Sequence, residues 1–182
     1  DLEQEGLLRI KGLNETLAFK GDANRRGFRS LELIENGAVM GNYEGLYLAS
    51  VNTSTGVPQI NGCPSQYTFW GSVKDLEQGA DGSLLIATHR GASILKAPYC
   101  APSEECEIFY GRTTCALQLR GGDQLVGTPN GVYRCSGVGT FLVKYHDDSR
   151  MHITDMDEVS PNQVLIGTNV RGLYLYDVIT KN

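Results

Sequence analysis

The residues in this chain that could do chemistry are arginines, histidines and acids, set in short polar stretches between apolar runs. Arg25, Arg26, Arg90, Arg112, Arg150 and Arg171 are six of its ten arginines, and His89, Asn42, Tyr43, Asn130 and Asn169 lie in comparable stretches. A guanidinium is a planar donor fork suited to carboxylate, sulfate or phosphate. Asparagine adds hydrogen bonds and tyrosine adds a ring face. Together these eleven positions are the expected ligand-binding set, and the expected ligand is an anionic small molecule or a glycan. Asp22, Glu44, Asp147 and Asp148 occupy the same stretches and set up the competing arrangement, in which the arginines pair with neighbouring acids.

Catalytic and metal chemistry leave weaker traces. Acid–base work would fall to His89, His146 or Glu44, but no catalytic constellation surrounds them. His146-Asp147-Asp148 with His152 has loose spacing for a metal, and neither a C-x-x-C pair nor a His/Cys cluster occurs. A Gly-x-Ser-x-Gly elbow is missing, and Ala80-Asp81-Gly82-Ser83 reads as a hairpin turn. The sequence therefore implies no cofactor, no metal and no catalytic residue.

The elements that would carry these residues are repeated. Gly41 to Tyr47, Ala87 to Ser93, Gly127 to Tyr133 and Gly167 to Tyr174 each run from a strand end through a tight polar turn and a glycine into another strand. The glycines Gly6, Gly45, Gly91, Gly131 and Gly172 are 39, 46, 40 and 41 residues apart. A period of about 40 residues with strand chemistry throughout is that of a β-propeller blade.

Four strands, A to D, are expected per unit. The A strands are Phe28–Leu33, Val73–Glu77, Cys115–Leu119 and Ile153–Asp157, which alternate apolar and polar residues. The B strands, Ala38–Met40, Leu84–Ile86, Gln124–Val126 and Val164–Ile166, are mostly apolar runs, suited to burial between neighbouring sheets. The C strands follow the repeated turn. The D strands are placed at Leu17–Lys20, Tyr67–Trp70, Glu107–Tyr110 and Phe141–Tyr145. In such a blade the B–C and D–A loops emerge on one face, which gathers all eleven candidate binding residues.

The net charge of −5 excludes general nucleic-acid binding. No run of about 18 apolar residues predicts a membrane span. Cys100 and Cys106 flank a proline-containing loop and are the disulfide candidates, which would fit an oxidising compartment. Cys63 and Cys135 map to the same side and would allow a second bridge, while Cys115 is expected to be a buried thiol. Asn14-Glu15-Thr16 and Asn52-Thr53-Ser54 match the glycosylation acceptor pattern.

The repeat resembles that of the two-component-regulator propeller family. The matching residues are Leu165-Ile166-Gly167-Thr168 with Gly172-Leu173-Tyr174, and Leu125-Val126-Gly127-Thr128 with Gly131-Val132-Tyr133-Arg134. The resemblance implies an all-β propeller, here of about four four-stranded antiparallel blades. These form one domain over residues 1–182, with units near 6–44, 45–90, 91–130 and 131–171 and a last strand at 172–182. It also implies a periplasmic or extracellular sensor module that binds and does not catalyse, and that dimerises to pass a signal. A propeller lyase or hydrolase and a protein-interaction scaffold are the alternatives. The family's B-strand tryptophan is absent, since the one Trp is Trp70. Family rings are also larger, so the chain is expected to be part of a larger ring, a half-ring that pairs with a second copy, or a ring closed by Leu17–Phe19 completing the last unit.

Overall fold

The computed structural model describes residues 7–11, 14–19, 27–35, 37–51, 54, 58–63, 71–99, 105–135, 140–143 and 151–180; for 7–11, 14–19, 51, 58, 105, 106 and 140–143 the description is of the backbone. Among these residues the chain is all β, a series of antiparallel sheets arranged as propeller blades. The first blade is β3 (Ser30–Ile34), β4 (Gly37–Gly41), β5 (Leu46–Val51) and β6 (Pro58–Gly62). The second is β7 (Val73–Gln78), β8 (Leu84–Thr88), β9 (Gly91–Leu95) and β10 (Glu105–Tyr110). The third is β11 (Cys115–Gln118), β12 (Gln124–Thr128), β13 (Gly131–Cys135) and β14 (Thr140–Val143). The fourth has three strands, β15 (Ile153–Ser160), β16 (Gln163–Thr168) and β17 (Gly172–Asp177). Ahead of them, β1 (Leu7–Lys11) and β2 (Asn14–Phe19) form a two-stranded hairpin.

The B strands explain the stack. All five residues of β8 are buried, because the sheet is covered on both faces by its neighbours. Along β4, β8 and β12, Val39, Leu85 and Leu125 are 0%, 1% and 0% exposed. The interface between the first two blades joins Val39 and Leu46 to Val73, Leu76, Leu84 and Ile86. Between the third and fourth it joins Leu117, Leu125 and Val132 to Ile153, Met156, Val164 and Ile166. Each fully buried leucine or isoleucine is worth about 1.5–3 kcal/mol relative to exposure. The blades therefore stabilise one another, and none of the sheets is a self-contained core.

Three sequence expectations are corrected. The fourth strand of the first blade is β6, not Tyr67–Trp70, which lies outside the described residues. β6 reads Pro-Gln-Ile-Asn-Gly, and it joins the sheet by backbone pairing with β5 from Val51↔Pro58 to Tyr47↔Gly62, so hydrophobic patterning does not reveal it. Leu17–Phe19 does not complete the last blade: β2 pairs with β1 and lies beside β6, while β17 has no fourth strand next to it among the described residues. Cys63 is disulfide-bonded, but Cys135 and Cys115 are buried thiols, so the cysteines do not form two bridges. The suggested Cys100–Cys106 pairing falls outside the described residues, in the Cys106 case for the side chain.

Gly127 shows how close the inner strands approach. A Cβ there would collide with Cys115 Sγ and stand 2.8 Å from Ile153 Cγ2, so both the paired strand and the next blade press on this position. Gly127→Ala is expected to cost about 1–3 kcal/mol by overpacking, seen as a lower urea midpoint with an unchanged slope. An unchanged midpoint would contradict this packing.

Candidate functional site

The B–C turns are built by one device. In the second blade Thr88 Oγ1 donates to the Gly91 carbonyl at 3.0 Å and accepts from the Arg90 and Gly91 amides, each at 3.1 Å. Thr128 and Thr168 repeat it, donating to the Gly131 and Gly172 carbonyls at 2.8 and 2.9 Å. In the first blade Asn42 stands at the threonine position, and its Oδ1 accepts from the Glu44 and Gly45 amides at 2.7 and 3.1 Å. Asn42 is 2% exposed, so its side-chain oxygen serves the turn. The residues between the fixed points are left outward.

Neighbouring loops are stitched together. The His89 amide donates to the Ser72 carbonyl, and the Ser72 amide donates to His89 Nδ1, both at 3.1 Å. Gly71 has φ of +51° and lies under the imidazole, where a Cβ would collide with Cε1. Thr113 Oγ1 donates to the Thr88 carbonyl, and the Gly111 amide donates to that of Arg90 at 2.9 Å. The Asn169 amide donates to the His152 carbonyl at 2.9 Å.

On this frame the first two blades and the loop into the third bring a group of cations together. The Arg29 guanidinium carbon lies 3.9 Å from the Tyr43 ring centroid, and Lys74 Nζ lies 5.7 Å from it. Desolvation, then the charges of Arg29 and Arg112, hold the Lys74 pKa below its ordinary value. Desolvation, then Arg90, Lys74 and Arg112, lower that of His89. These effects place Arg29, Tyr43, Lys74, His89, Arg90 and Arg112 in one electrostatic neighbourhood, with Lys74 and Tyr43 half-buried and the others exposed. Among the described residues, Arg29, Lys74 and Arg112 form no salt bridge.

Four of the eleven expected binding residues thus meet: Tyr43, His89, Arg90 and Arg112. Asn130, Asn169 and Arg171 are exposed on the B–C loops of the third and fourth blades, and Arg171 is not among the charges acting on Lys74 or His89. Arg25, Arg26 and Arg150 lie outside the described residues, as do the alternative pairing acids Asp22, Asp147 and Asp148 and the catalytic candidate His146. Arg29 and Lys74 were missed because they sit at the head of A strands, where alternation reads them as solvent-facing strand positions. The useful signal was their place at the strand end that enters from this face. Glu44 Oε2 accepts from Tyr47 OH at 3.1 Å.

The inner strands carry the opposite charge. Glu32, Asp75, Glu77, Asp155 and Asp157 lie on β3, β7 and β15, and His/Cys/Asp/Glu groupings that could hold a metal are absent among the described residues. Asp75 Oδ2 accepts from the Ala116 amide at 3.0 Å, crossing to the third blade, and Oδ1 accepts from the Leu76 amide at 2.9 Å. Burial nevertheless raises the Asp75 pKa. Glu77 is pushed up to about 7, by burial first and then by Glu32, Asp75, Asp157 and Asp155. Burial, with help from Asp75, pushes the Cys115 thiol up to about 12, which makes it unreactive. A cleft of about 600 Å³ opens on the other face, where Tyr99 OH donates to the Gly82 carbonyl at 2.7 Å and accepts from Gln78 Nε2 at 2.9 Å. The Asp81-Gly82-Ser83 segment there is the expected hairpin turn, with Asp81 Oδ1 accepting from the Ser83 amide at 3.0 Å.

The raised Glu77 pKa fixes the sign of a pH effect. Between about 4.5 and about 7 the folded protein holds a proton that the unfolded chain releases, so stability falls as pH rises through this window. Glu77→Gln is expected to raise the thermal midpoint at pH 8 by about 2–4 °C, allowing for solvent screening, and to leave it unchanged at pH 4. Equal midpoints at pH 8 would contradict the crowding of these carboxylates.

No family model matches the chain, and no curated protein matches it. Solved structures do. The extracellular domain of the hybrid two component system BT3049 from B. thetaiotaomicron aligns with 98% of this chain at a TM-score of 0.75 and 14% identity. That of the one component system BT4673 from the same organism aligns with 98% at 0.77 and 16%. An auxiliary nutrient binding protein from Bacteroides thetaiotaomicron aligns with 86% at 0.64 and 14%. The chain spans 27%, 25% and 40% of those three chains. At these identities the likeness is one of fold.

Proposed function

We propose that this propeller is a non-enzymatic ligand-binding or sensing module, and that its ligand is anionic and sits on the cationic face around Tyr43. The observation that carries the reading is the gathering of Arg29, Lys74, His89, Arg90 and Arg112 about Tyr43, with Arg29 3.9 Å and Lys74 5.7 Å from its ring, where burial first and then the neighbouring cations lower the Lys74 and His89 pKa values. Clustered like charges repel and are relieved by an anion, and in an acidic chain they focus the field on one face. Two guanidinium groups can clamp carboxylate, sulfate or phosphate oxygens, with the half-buried Lys74 ammonium as a third donor. The half-buried Tyr43 ring, with Arg29 3.9 Å and Lys74 5.7 Å from its centroid, holds these two cations side by side. Asn130, Asn169 and Arg171 extend the same rim. The fold shared with extracellular domains of signalling systems and with a nutrient binding protein supports a sensing role outside the cytoplasm. No helix among the described residues is long and apolar enough to cross a membrane.

Binding can be measured by calorimetry against inorganic sulfate and an array of neutral, carboxylated and sulfated oligosaccharides. Anionic probes are expected to bind and neutral ones to fail, with Arg29→Ala and Lys74→Ala each weakening binding about tenfold or more, as loss of a charge-assisted hydrogen bond implies. Equal binding by wild type and both variants would refute the assignment. The pH dependence has a definite sign: an anion favours charged imidazole, so the His89 pKa rises on binding and affinity increases as pH falls through it. His89→Ala is expected to flatten that slope. A slope unchanged in the variant would remove His89 from the site.

A further inference from the structure

The cleft of about 600 Å³ on the face opposite the cations lies at the junction of the first two blades. Ile34 and Glu35 leave the end of β3 to form one wall, and Gln78, Asp81, Lys96 and Tyr99 of the second blade form the other. The core holds both walls from below, since Ile34 and Tyr99 pack on the cluster of Val39, Leu76, Leu84 and Leu95 that joins the blades. Tyr99 is 7% exposed, and its hydroxyl, set between the Gly82 carbonyl and Gln78 Nε2, ties the loop after β9 to the β7–β8 turn. The volume falls among those of small-molecule pockets, about 300–1,000 Å³, and walls fixed in advance lose little entropy when a ligand enters.

The charges here differ from those around Tyr43. Glu35, Asp81 and Lys96 are exposed at the mouth, two acids with one base. Asp81 Oδ1 accepts from the Ser83 amide at 3.0 Å and the Ser83 hydroxyl at 2.6 Å, which leaves Oδ2 available. These bonds, with a smaller contribution from the Lys96 charge, hold its carboxyl below the ordinary range, so it is ionised at neutral pH. Among the described residues Glu35 and Lys96 form no salt bridge. An anion is repelled by the two acids and a simple cation by Lys96, whereas a zwitterion satisfies both signs at once. We propose that this cleft binds a free α-amino acid with an apolar side chain. Its ammonium group lies between Glu35 and Asp81, its carboxylate meets Lys96, and its side chain rests on Ile34.

Calorimetry with L-leucine, N-acetyl-L-leucine, L-leucinamide and glucose tests the assignment. L-leucine is expected to bind and glucose to fail, and the two derivatives, each lacking one charge, should bind about fivefold or more weakly. Glu35→Gln and Lys96→Met should weaken L-leucine binding by a similar factor, and Lys96→Met should also erase the difference between L-leucine and L-leucinamide. Both residues are exposed, so the variants should keep their thermal midpoints within about 2 °C of wild type. Saturating sulfate should leave the L-leucine affinity unchanged, because the proposed anion site is on the other face; the result therefore stands whether or not sulfate binds there. Failure of L-leucine to bind, equal binding by either derivative, or indifference to both substitutions would overturn the proposal. Glucose binding in place of L-leucine would overturn it in favour of a neutral sugar, and competition by sulfate in favour of an anion held by Lys96.

Discussion

The structure depends on one constraint: a B strand that is apolar on both faces must be covered on both. Val39, Leu85 and Leu125 meet it by facing the next blade, and Met40, Ile86, Val126 and Ile166 by facing the other way. Stacked sheets follow from this, and so does the position of the loops. Because the blades are locked by packing, B–C turns from consecutive blades emerge at a fixed spacing on one face. The side chains that vary between the fixed turn residues are thereby brought side by side.

The same packing separates charge. Carboxylates on β3, β7 and β15 crowd near the inner strands, where burial raises Asp75 and Glu77 and leaves the latter near neutral pH at the point of ionising. Basic groups collect where chains enter the inner strands from the loop face, and there burial and mutual repulsion depress Lys74 and His89. The net charge of −5 hides this division, which is why a basic rim can exist on an acidic chain. Structural needs consume part of the polar inventory: Asn42 closes a turn, and His89 Nδ1 receives the Ser72 amide. In the proposed site the binding chemistry falls to Arg29, Lys74, Arg90 and Arg112 around the Tyr43 ring.

Much of the fold was legible in the sequence because repetition amplified weak signals. The glycine spacing and the apolar B strands located three of the four strand types to within a residue or two at most positions, and Cys115 is the buried thiol expected. β6 was not legible, since Ile60 is the one large aliphatic side chain in Pro-Gln-Ile-Asn-Gly and the strand is placed by its backbone pairing with β5. Leu17–Phe19 does not close the ring, because sequence counts strands and does not say which edge they meet; its partner is β1. For the proposed site, loop membership named Tyr43, His89, Arg90 and Arg112, which the structure places in one neighbourhood. It could not pick out Arg29 and Lys74, whose contribution comes from where a strand begins in space.

The central claim, that the cationic face holds an anion, is tested most directly by a crystal structure with selenate, an anomalous stand-in for sulfate. The account predicts an anomalous peak within hydrogen-bonding distance of Lys74 and of Arg29 or Arg112, lost in Lys74→Ala. Selenate bound elsewhere, with this face empty at saturating concentration, would contradict it.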